Sequence, residues 1–482
     1  MIRMKVTQTL ALAGFVPAGK PDCTNQQERF GYTGSSMAAL RVSLAVVILS
    51  ASASSIAHGQ VHEEPPDPCL RTCNVRPVVS GSQHAPTYTV LYTFSGGTDG
   101  GYPQYGRLIV DPAGNFYGTA TFGGDVNCPL VTYPGPGCGV VFKLDPVSGK
   151  ETVLYTFSGG ADGAQPWGGL IRDSNGNLYG TTAFGGSNSA GLIFKVDPSG
   201  NETVLNTFDS TNGANPTGDL IMDKSGSLYG TTVTGGDLSR CSGLGCGVVF
   251  EQGPSGKLKL LHVFTGPVKK DGANPTHAVI QDAVGNIYGT TENGGIASCL
   301  NYEGSEAVET FVGGCGIIFK LDSMTGTETP LHQFNVVPDG SDPRAALIQD
   351  AAGNFYGTTF YGGLYAAGTV FKLDPTGQET VLYNFKGLTD GAGPWGGLVQ
   401  DAAGNLYGTT NHAGGSCGCG TIFKLDPEGN YTVLHTFAGT DGQYPEAPLL
   451  LSRGVLYGTT SGGGTLSDGG TGTGTIFKIT FP

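Results

Sequence analysis

Residues 170–208 read LIRDSNGNLYGTTAFGGSNSAGLIFKVDPSGNETVLNTF, and variants of this stretch recur along the chain. The tyrosine of its Tyr-Gly-Thr motif recurs at Tyr117, Tyr179, Tyr229, Tyr288, Tyr356, Tyr407 and Tyr457. The phenylalanine of its third apolar run recurs at Phe142, Phe194, Phe250, Phe319, Phe371, Phe423 and Phe477. The phenylalanine that ends it recurs at Phe94, Phe157, Phe208, Phe264, Phe334, Phe385 and Phe437. Units of this length that contain several strands are typical of radial or solenoidal repeat proteins.

Each unit is predicted to form four strands. In the quoted unit they are Leu170–Asp173, Leu178–Thr182, Gly191–Val196 and Glu202–Phe208. An Asp-Ser-Asn-Gly-Asn hairpin and an Asp-Pro-Ser-Gly turn separate them, with glycine in the left-handed position of the hairpin. β-branched and aromatic residues support each strand. Four consecutive antiparallel strands make one propeller blade.

The two ends of the repeat array predict how the blades are arranged. The array opens with a lone fourth strand, Tyr88–Phe94, and ends with a third strand, Gly474–Phe481. If these strands pair, the ring closes and two sheet edges that would otherwise be exposed are covered. We therefore predict an all-β fold, a seven-bladed β-propeller of four-stranded antiparallel blades spanning residues 87–482, in which the N-terminal strand joins the last blade. An open β-solenoid is the alternative.

Composition excludes some functions. The net charge is −14 and the pI is about 4.9, which disfavours nucleic acids and anionic membrane surfaces. The chain contains 82 glycines, which are expected at tight turns.

Residues 1–57 are predicted to be a leader and signal peptide, with a basic start at Met37–Arg41 and an apolar run at Val42–Ile56. A core helix is the alternative for that run. Residues 58–86 read as a linker that contains proline and cysteine. Secretion or a cell-surface location follows, with no membrane span in the mature chain.

The cysteines beyond the leader form five local pairs. They are Cys69/Cys73, Cys128/Cys138, Cys241/Cys246, Cys299/Cys315 and Cys417/Cys419. Local pairing in an exported protein predicts disulfides. Metal binding is the alternative, but no two pairs share a blade, so four ligands would not converge.

The loops between second and third strands, and those between fourth and first strands, should emerge on one face. The second-to-third loops vary in length, so we expect any site on this face. The fourth-to-first loops share an Asp-Gly-x-x-Pro motif, with Asn212 replacing the aspartate once; the aspartates are Asp99, Asp162, Asp271, Asp339, Asp390 and Asp441. A cation site is one interpretation, and a turn cap is the favoured one.

The residues near this proline differ between blades. Trp167 and Trp395 are the only tryptophans, and Thr217, Thr276, Arg344 and Glu446 fill the same position in other blades. Exposed aromatic residues beside polar ones suit stacking on a sugar ring or a peptide side chain. Packing between blades is the alternative for the tryptophans. The candidate binding residues are Trp167, Trp395, Tyr105, Arg344 and Tyr302.

Catalytic signals are weak. His262, His332 and His435 take positions filled by Tyr92, Tyr155 and Tyr383 in other blades and read as packing substitutions. His277 and His412 lie on the variable face without an assignable nucleophile. Glu292, Glu303 and Asp237 are loop carboxylates that could serve glycoside cleavage. We predict no catalytic residue, metal or cofactor.

The motifs Leu-Tyr-Gly-Thr-Thr-x-x-Gly-Gly and Gly-Thr-Val-Phe-Lys-Leu-Asp-Pro-x-Gly-x-Glu-Thr-Val-Leu-Tyr-x-Phe resemble the GloVer tandem repeats of exported bacterial proteins. The resemblance covers about residues 87–482. It implies export, often with surface attachment through a C-terminal anchor, and a propeller-like fold; it brings no catalytic residues.

Three functional hypotheses follow. The leading one is a monomeric extracellular module that binds a glycan or another protein. The others are a polysaccharide hydrolase or lyase that uses loop carboxylates, and a structural protein of the cell envelope.

Overall fold

The computed structural model describes residues 85–482, except 126, 129–135 and 296–312. The described residues form seven four-stranded antiparallel sheets, which confirms the predicted seven-bladed propeller. Helical structure within them is limited to two short 3₁₀ turns, Cys241–Gly243 and Pro267–Lys269. The predicted leader and signal peptide, and nearly all of the predicted linker, lie outside the described residues.

The strands follow the repeat closely. Their bounds, in order from first to fourth strand, are Ile109–Val110, Phe116–Ala120, Val140–Asp145 and Lys150–Thr156 in blade 1; Ile171–Arg172, Leu178–Thr182, Leu192–Val196 and Glu202–Thr207 in blade 2; Ile221–Met222, Leu228–Thr232, Val248–Gln252 and Leu258–Val263 in blade 3; Ile280–Gln281, Ile287–Thr291, Ile317–Leu321 and Glu328–Gln333 in blade 4; Ile348–Gln349, Phe355–Thr359, Thr369–Leu373 and Glu379–Asn384 in blade 5; Val399–Gln400, Leu406–Thr410, Thr421–Leu425 and Tyr431–Thr436 in blade 6; and Leu450–Ser452, Val455–Thr460, Thr475–Thr480 and Thr87–Thr93 in blade 7. A further pair, Gly272–Ala273 and Asn293–Gly294, joins two loops.

The N-terminal strand closes the ring. Thr87–Thr93 pairs antiparallel with Thr475–Thr480, so the last blade is built from both ends of the propeller sequence. One apolar cluster contains Phe94 and Ile476 of blade 7 together with Phe142 of blade 1. The core is therefore shared between neighbouring blades, and the interface between the last and the first blade is packed like the others.

The two phenylalanine series predicted from the sequence meet at the blade interfaces. The phenylalanine after each fourth strand packs on the third-strand phenylalanine of the next blade, with ring centroids 5.1 to 5.6 Å apart and mostly edge to face. The contact between Phe94 and Phe142 completes the circle at 5.2 Å. Such pairs are favourable beyond the area that they bury.

Each residue of the Tyr-Gly-Thr motif stabilises the blade in a different way. The tyrosine hydroxyl donates a hydrogen bond to the hairpin aspartate in six blades, as Tyr179 does to Asp173 at 3.1 Å. The glycine leaves room for the third-strand phenylalanine, since a Cβ on Gly180 would lie 2.7 Å from Phe194. In four blades the threonine hydroxyl donates to a carbonyl of the next blade.

Substitution of the motif tyrosine is expected to destabilise the fold only where the aspartate is present. Tyr179→Phe should lower the free energy of unfolding by about 1 to 2 kcal/mol, because the Asp173 carboxylate loses a hydrogen bond. Tyr457→Phe is the matched control, since the hairpin Ser452–Val455 has no aspartate, and it should change stability by less than about 0.5 kcal/mol. Urea unfolding of both variants measures the difference. Equal losses would show that the hydroxyl acts through another partner.

The described cysteines are paired as predicted where both partners are described. Disulfides join Cys128 to Cys138, Cys241 to Cys246 and Cys417 to Cys419. Cys315 is also disulfide-bonded. Its predicted partner Cys299, and the predicted pair Cys69 and Cys73, lie outside the described residues.

Candidate functional site at the propeller axis

The segments that precede the first strands surround the propeller axis. A Cβ on Gly106 would lie 2.7 Å from the Cα of Gly169, and one on Gly218 would lie 2.5 Å from the carbonyl carbon of His277. These contacts join successive blades. Glycine is required there because any side chain would collide with the neighbouring backbone.

A left-handed residue precedes the proline in all seven of these segments. The φ angles lie between 55° and 61° at Tyr102, Gln165, Asn215, Asn274, Asp342, Gly393 and Tyr444. This conformation is unfavourable for the six that are not glycine. It is held by a repeated pair of backbone hydrogen bonds: in blade 2, Gln165 N–H donates to Cys138 at 2.8 Å and its carbonyl accepts from Ala183 at 3.0 Å. The backbone is thus constant while the side chains that it presents vary.

Tyr105 lies at the centre of the ring. Its ring centroid is 5.6 Å from that of Trp167, 6.5 Å from that of His277 and 5.4 Å from that of Trp395, which belong to the axial segments of blades 2, 4 and 6. Burial raises its pKa, and Glu446, Arg344 and Glu292 also act on it electrostatically. A residue that interacts with so many blades must lie on or near the axis.

Arg344 supplies the positive charge of this site. Its guanidinium donates to Asp342 at 2.7 Å and lies 3.6 Å from Glu292. Its Cζ lies 4.3 Å from the ring centroids of both Phe360 and Trp395. The guanidinium is therefore already in contact with two carboxylates and two aromatic rings. It is poorly placed to bind an anionic ligand as well.

Several buried polar groups complete what we call the axial cluster. Its members are Tyr105, Trp167, His277, Glu292, Arg344, Trp395, Asn411 and Glu446. Burial raises the pKa of the Glu292 carboxyl, although Arg344 opposes the effect. Burial lowers the pKa of His277 to about 3, so its imidazole stays neutral at ordinary pH.

Four polar atoms of the axial cluster lack a hydrogen-bond partner within the described part of the chain. They are Nε1 of Trp167, Nε1 of Trp395, Nε2 of His277 and Oδ1 of Asn411. A buried donor or acceptor without a partner costs about 1 to 3 kcal/mol. Four such atoms in one cluster are unusual if the cluster serves packing alone.

The structure brings four of the five predicted binding residues together. Tyr105 contacts both Trp167 and Trp395, and Arg344 lies against Trp395. Tyr302 lies outside the described residues, as does Glu303. The predicted loop carboxylate Glu292 is in the axial cluster, whereas Asp237 lies in an exposed turn 3.7 Å from Arg240.

Sequence reasoning missed Asn411, Phe360 and Asp342. Asn411 and Phe360 occupy the position that directly follows Tyr-Gly-Thr-Thr, where Glu292 lies in blade 4. Variation at that position within a constant motif is the signal that would have found them. Asp342 immediately precedes its proline, where the left-handed conformation was not predicted.

The two tryptophans differ in their surroundings. Trp395 stacks on Tyr105 at an interplanar angle of 16° and also contacts Arg344 and Phe360. The ring contacts of Trp167 in the described structure, with Tyr105 and Phe184, are both edge to face. Both side chains are partly exposed. Trp167 is therefore the better placed of the two to offer a ring face to a ligand.

The aspartates of the fourth-to-first loops act as turn caps. Asp162 accepts hydrogen bonds from Ser158 N–H at 2.8 Å and from Tyr155 at 3.0 Å. Histidine replaces the tyrosine in three blades, and His332 Nε2 lies 2.8 Å from Asp339. The prediction that these histidines are packing substitutions was therefore incomplete, because they also take over the tyrosine's hydrogen bond.

Four of these aspartates each lie beside a glutamate in the fourth strand of the next blade. Burial first, and the neighbouring aspartate in addition, raise the pKa of Glu151 and of Glu202 to about 7. The same applies to Glu328 and Glu379, where a histidine partly opposes the shift. Ligand atoms of His262, Asp271 and Glu328 lie within 4.8 Å of one another, as do those of His332, Asp339 and Glu379. Because tyrosine fills the histidine position in equivalent clusters, we interpret both as hydrogen-bonded blade contacts.

No helix in the described residues is long and apolar enough to cross a membrane.

Comparison with solved structures finds remote matches. An extracellular domain of a one-component system from B. thetaiotaomicron matches at 15% identity over 83% of this chain and 42% of that one, with a TM-score of 0.48. This chain thus spans less than half of that structure's length. A gluconolactonase from Xanthomonas campestris matches at 11% identity over 64% and 83%, with a TM-score of 0.36. A luciferin-regenerating enzyme matches at 12% identity over 82% and 95%, with a TM-score of 0.40.

No curated protein matches the sequence significantly. The profile of the Gloeobacter/Verrucomicrobia repeat matches residues 78–302 and 305–482. These matches cover most of the sequence and include every blade, and the chain therefore belongs to the Gloeobacter/Verrucomicrobia repeat family.

Proposed function

We propose that the protein is an exported binding module that holds a carbohydrate in the axial cluster. The observation that carries the proposal is the convergence of partly exposed aromatic rings and unpartnered polar atoms from several blades on the axis. The disulfides support export, because such bonds persist in oxidising compartments.

The chemistry of the cluster favours a neutral hydroxylated ligand. Aromatic faces stack on the apolar side of a sugar ring, while the indole N–H groups and the Asn411 amide oxygen suit hydroxyls, which both donate and accept. An anionic ligand would meet Glu292, Glu446 and Asp342, and Arg344 is already paired. Arg344 offsets part of this negative charge, so the cluster as a whole favours neither an acidic nor a basic ligand.

The proposal predicts that Trp167 is required for binding. A glycan array probed with the labelled protein identifies the ligand, and titration with that glycan measures affinity. Trp167→Ala should weaken binding about tenfold, equivalent to the loss of about 1.4 kcal/mol of stacking. Tyr365→Ala is the matched control, since Tyr365 is an aromatic residue on the same face, 55% exposed and in a second-to-third loop.

The outcomes separate the hypotheses. Unchanged affinity of Trp167→Ala would remove the axial cluster from the binding site. Absence of any saturable glycan would contradict the carbohydrate proposal and favour a structural role in the cell envelope.

Glu292 supports a second candidate function, a polysaccharide hydrolase or lyase. A buried carboxyl with a raised pKa can act as a general acid at neutral pH. Incubation with a panel of polysaccharides and detection of new chain ends tests for turnover. An enzyme predicts activity that Glu292→Gln abolishes, whereas a binding module predicts no new chain ends with either protein.

A further inference from the structure

Trp395 has more close neighbours than Trp167 in the described structure. Its ring stacks on Tyr105 with centroids 5.4 Å apart, and the guanidinium carbon of Arg344 lies 4.3 Å from its centroid. Phe360 packs edge to face on it, with centroids 5.1 Å apart and an interplanar angle of 82°. Trp167 has two ring contacts, both edge to face. The orientation of the Trp395 ring is therefore the more tightly fixed of the two.

Arg344 joins two of these rings to two carboxylates. Its Cζ lies 4.3 Å from the ring centroid of Phe360, the same distance as from that of Trp395. Its Nε donates to Asp342 at 2.9 Å, Nη2 lies 2.7 Å from the same carboxylate oxygen, and Nε lies 3.6 Å from Glu292. A planar guanidinium can meet aromatic rings with its faces while its edge binds carboxylates, which the ammonium of a lysine cannot do.

The backbone fixes both the anchor of the arginine and the place of the phenylalanine. Asp342 is the left-handed residue of the blade 5 axial segment, where its N–H donates to Cys315 at 3.0 Å and its carbonyl accepts from Phe360 N–H at 3.0 Å. The equivalent residue of blade 6 is Gly393, on which a Cβ would lie 2.9 Å from Phe360. Glycine at this position therefore leaves room for the Phe360 ring beside Trp395.

We infer that Arg344 is a positioning residue of the axial site, which holds Trp395 against Tyr105 and does not itself contact the ligand. Through this stack Tyr105 is in turn held beside Trp167, the ring that the proposed function assigns to the ligand. Side chains whose orientation is fixed before a ligand arrives lose less freedom on binding. The inference rests on the proposed function and adds the group that orients its aromatic surface.

Emission from Trp395 tests this role without a ligand. Trp167→Phe leaves Trp395 as the only tryptophan, since the chain has 2. In that background Arg344→Lys keeps the positive charge but loses the planar group, so the Trp395 ring should move more freely and acrylamide should quench its emission more strongly. Arg240→Lys in the same background is the matched control, because Arg240 also lies beside a carboxylate, Asp237, at 3.7 Å. Quenching that does not increase in the Arg344 variant relative to this control would overturn the positioning role.

Asp342→Asn provides a second variant if Arg344→Lys prevents folding, which the melting temperature reports. Asparagine suits this backbone, since Asn215 and Asn274 adopt the same left-handed conformation at the equivalent position of blades 3 and 4. The variant keeps the arginine but removes the charge that orients it, so quenching should again increase. A lower melting temperature with unchanged quenching in the folded protein would show a role in stability alone and would overturn the inference.

Affinity for the glycan that the array identifies connects this role to binding. With both tryptophans present, Arg344→Lys and Asp342→Asn should each weaken binding about fivefold, whereas Arg240→Lys should leave it unchanged. Unchanged affinity in the first two variants would overturn the role of Arg344 in binding while leaving carbohydrate binding intact. Failure of the unaltered protein to bind any glycan would overturn the proposed function, whereas unchanged quenching overturns the positioning role whether or not a glycan binds.

Discussion

Deletion of residues 87–94 from the full chain is expected to destabilise the propeller more than any single substitution. These residues form the strand that pairs with Thr475–Thr480, and Phe94 is fully buried against Phe142. Loss of a buried phenylalanine side chain alone typically costs about 3 to 5 kcal/mol. Removal of the strand also exposes the backbone edge of blade 7 and the side of blade 1, so aggregation is expected as well.

The control is deletion of eight residues from the predicted linker, 58–65, which should leave stability unchanged. Thermal unfolding followed by circular dichroism compares the two proteins. A strand-deleted protein that melts with the same temperature and cooperativity as the control would show that the ring does not depend on its N-terminal strand.

The four interblade glutamates should make the protein less stable as pH rises. The pKa of Glu151, Glu202, Glu328 and Glu379 in the folded state is about 7, above the ordinary value near 4.5. The folded protein therefore holds protons that the unfolded chain has released. The stabilisation is fully present below about pH 4.5 and is lost as pH rises through about 7.

Replacement of all four by glutamine removes this dependence, because an amide stays neutral. Each side chain is partly exposed, so the effect is discounted to about 1 kcal/mol per site at pH 8, or roughly 4 kcal/mol in total. The fourfold variant should unfold at higher urea concentration than the unaltered protein at pH 8 and at a similar one at pH 5. Glu428→Gln, in an exposed turn, is the control for removing a surface carboxylate. Parallel profiles for the fourfold variant and the unaltered protein would show that these glutamates ionise normally.

The propeller fold was predictable because the sequence patterns that specify it are local and recur in every blade. The hairpin glycines, the alternation of apolar residues and the two phenylalanine series each recur in register, so a seven-bladed ring followed from the sequence. The strand Thr87–Thr93 was predictable for the same reason: it is a copy of the fourth strand without the preceding three. Comparison of the seven repeats with one another shows which positions are structural.

The axial site was predictable only in part. Trp167, Trp395 and Arg344 were identifiable because they differ at one position of a constant motif, and Tyr105 because it lies beside that position. Their mutual contacts were not, because these depend on the geometry of the closed ring. The left-handed residues before proline were also missed, since a residue that precedes proline ordinarily adopts an extended conformation. At each of the seven positions, the residue before proline makes two backbone hydrogen bonds to other segments of the chain. These tertiary contacts outweigh the local preference.

The pairing of interblade glutamates with loop aspartates was likewise hidden, because the partners belong to different blades. Comparison of the repeats does not report it either. Leu258 occupies the glutamate position where Asn212 replaces the aspartate, but Tyr431 and Tyr88 occupy it opposite Asp390 and Asp441.

We propose that the ligand binds where the seven blades converge. The chain has 2 tryptophans, and both belong to the axial cluster, so tryptophan emission reports on that site alone. Titration with the glycan selected on the array should change the emission spectrum saturably, with the dissociation constant that calorimetry gives. Binding that calorimetry detects without any change in tryptophan emission would contradict the axial site.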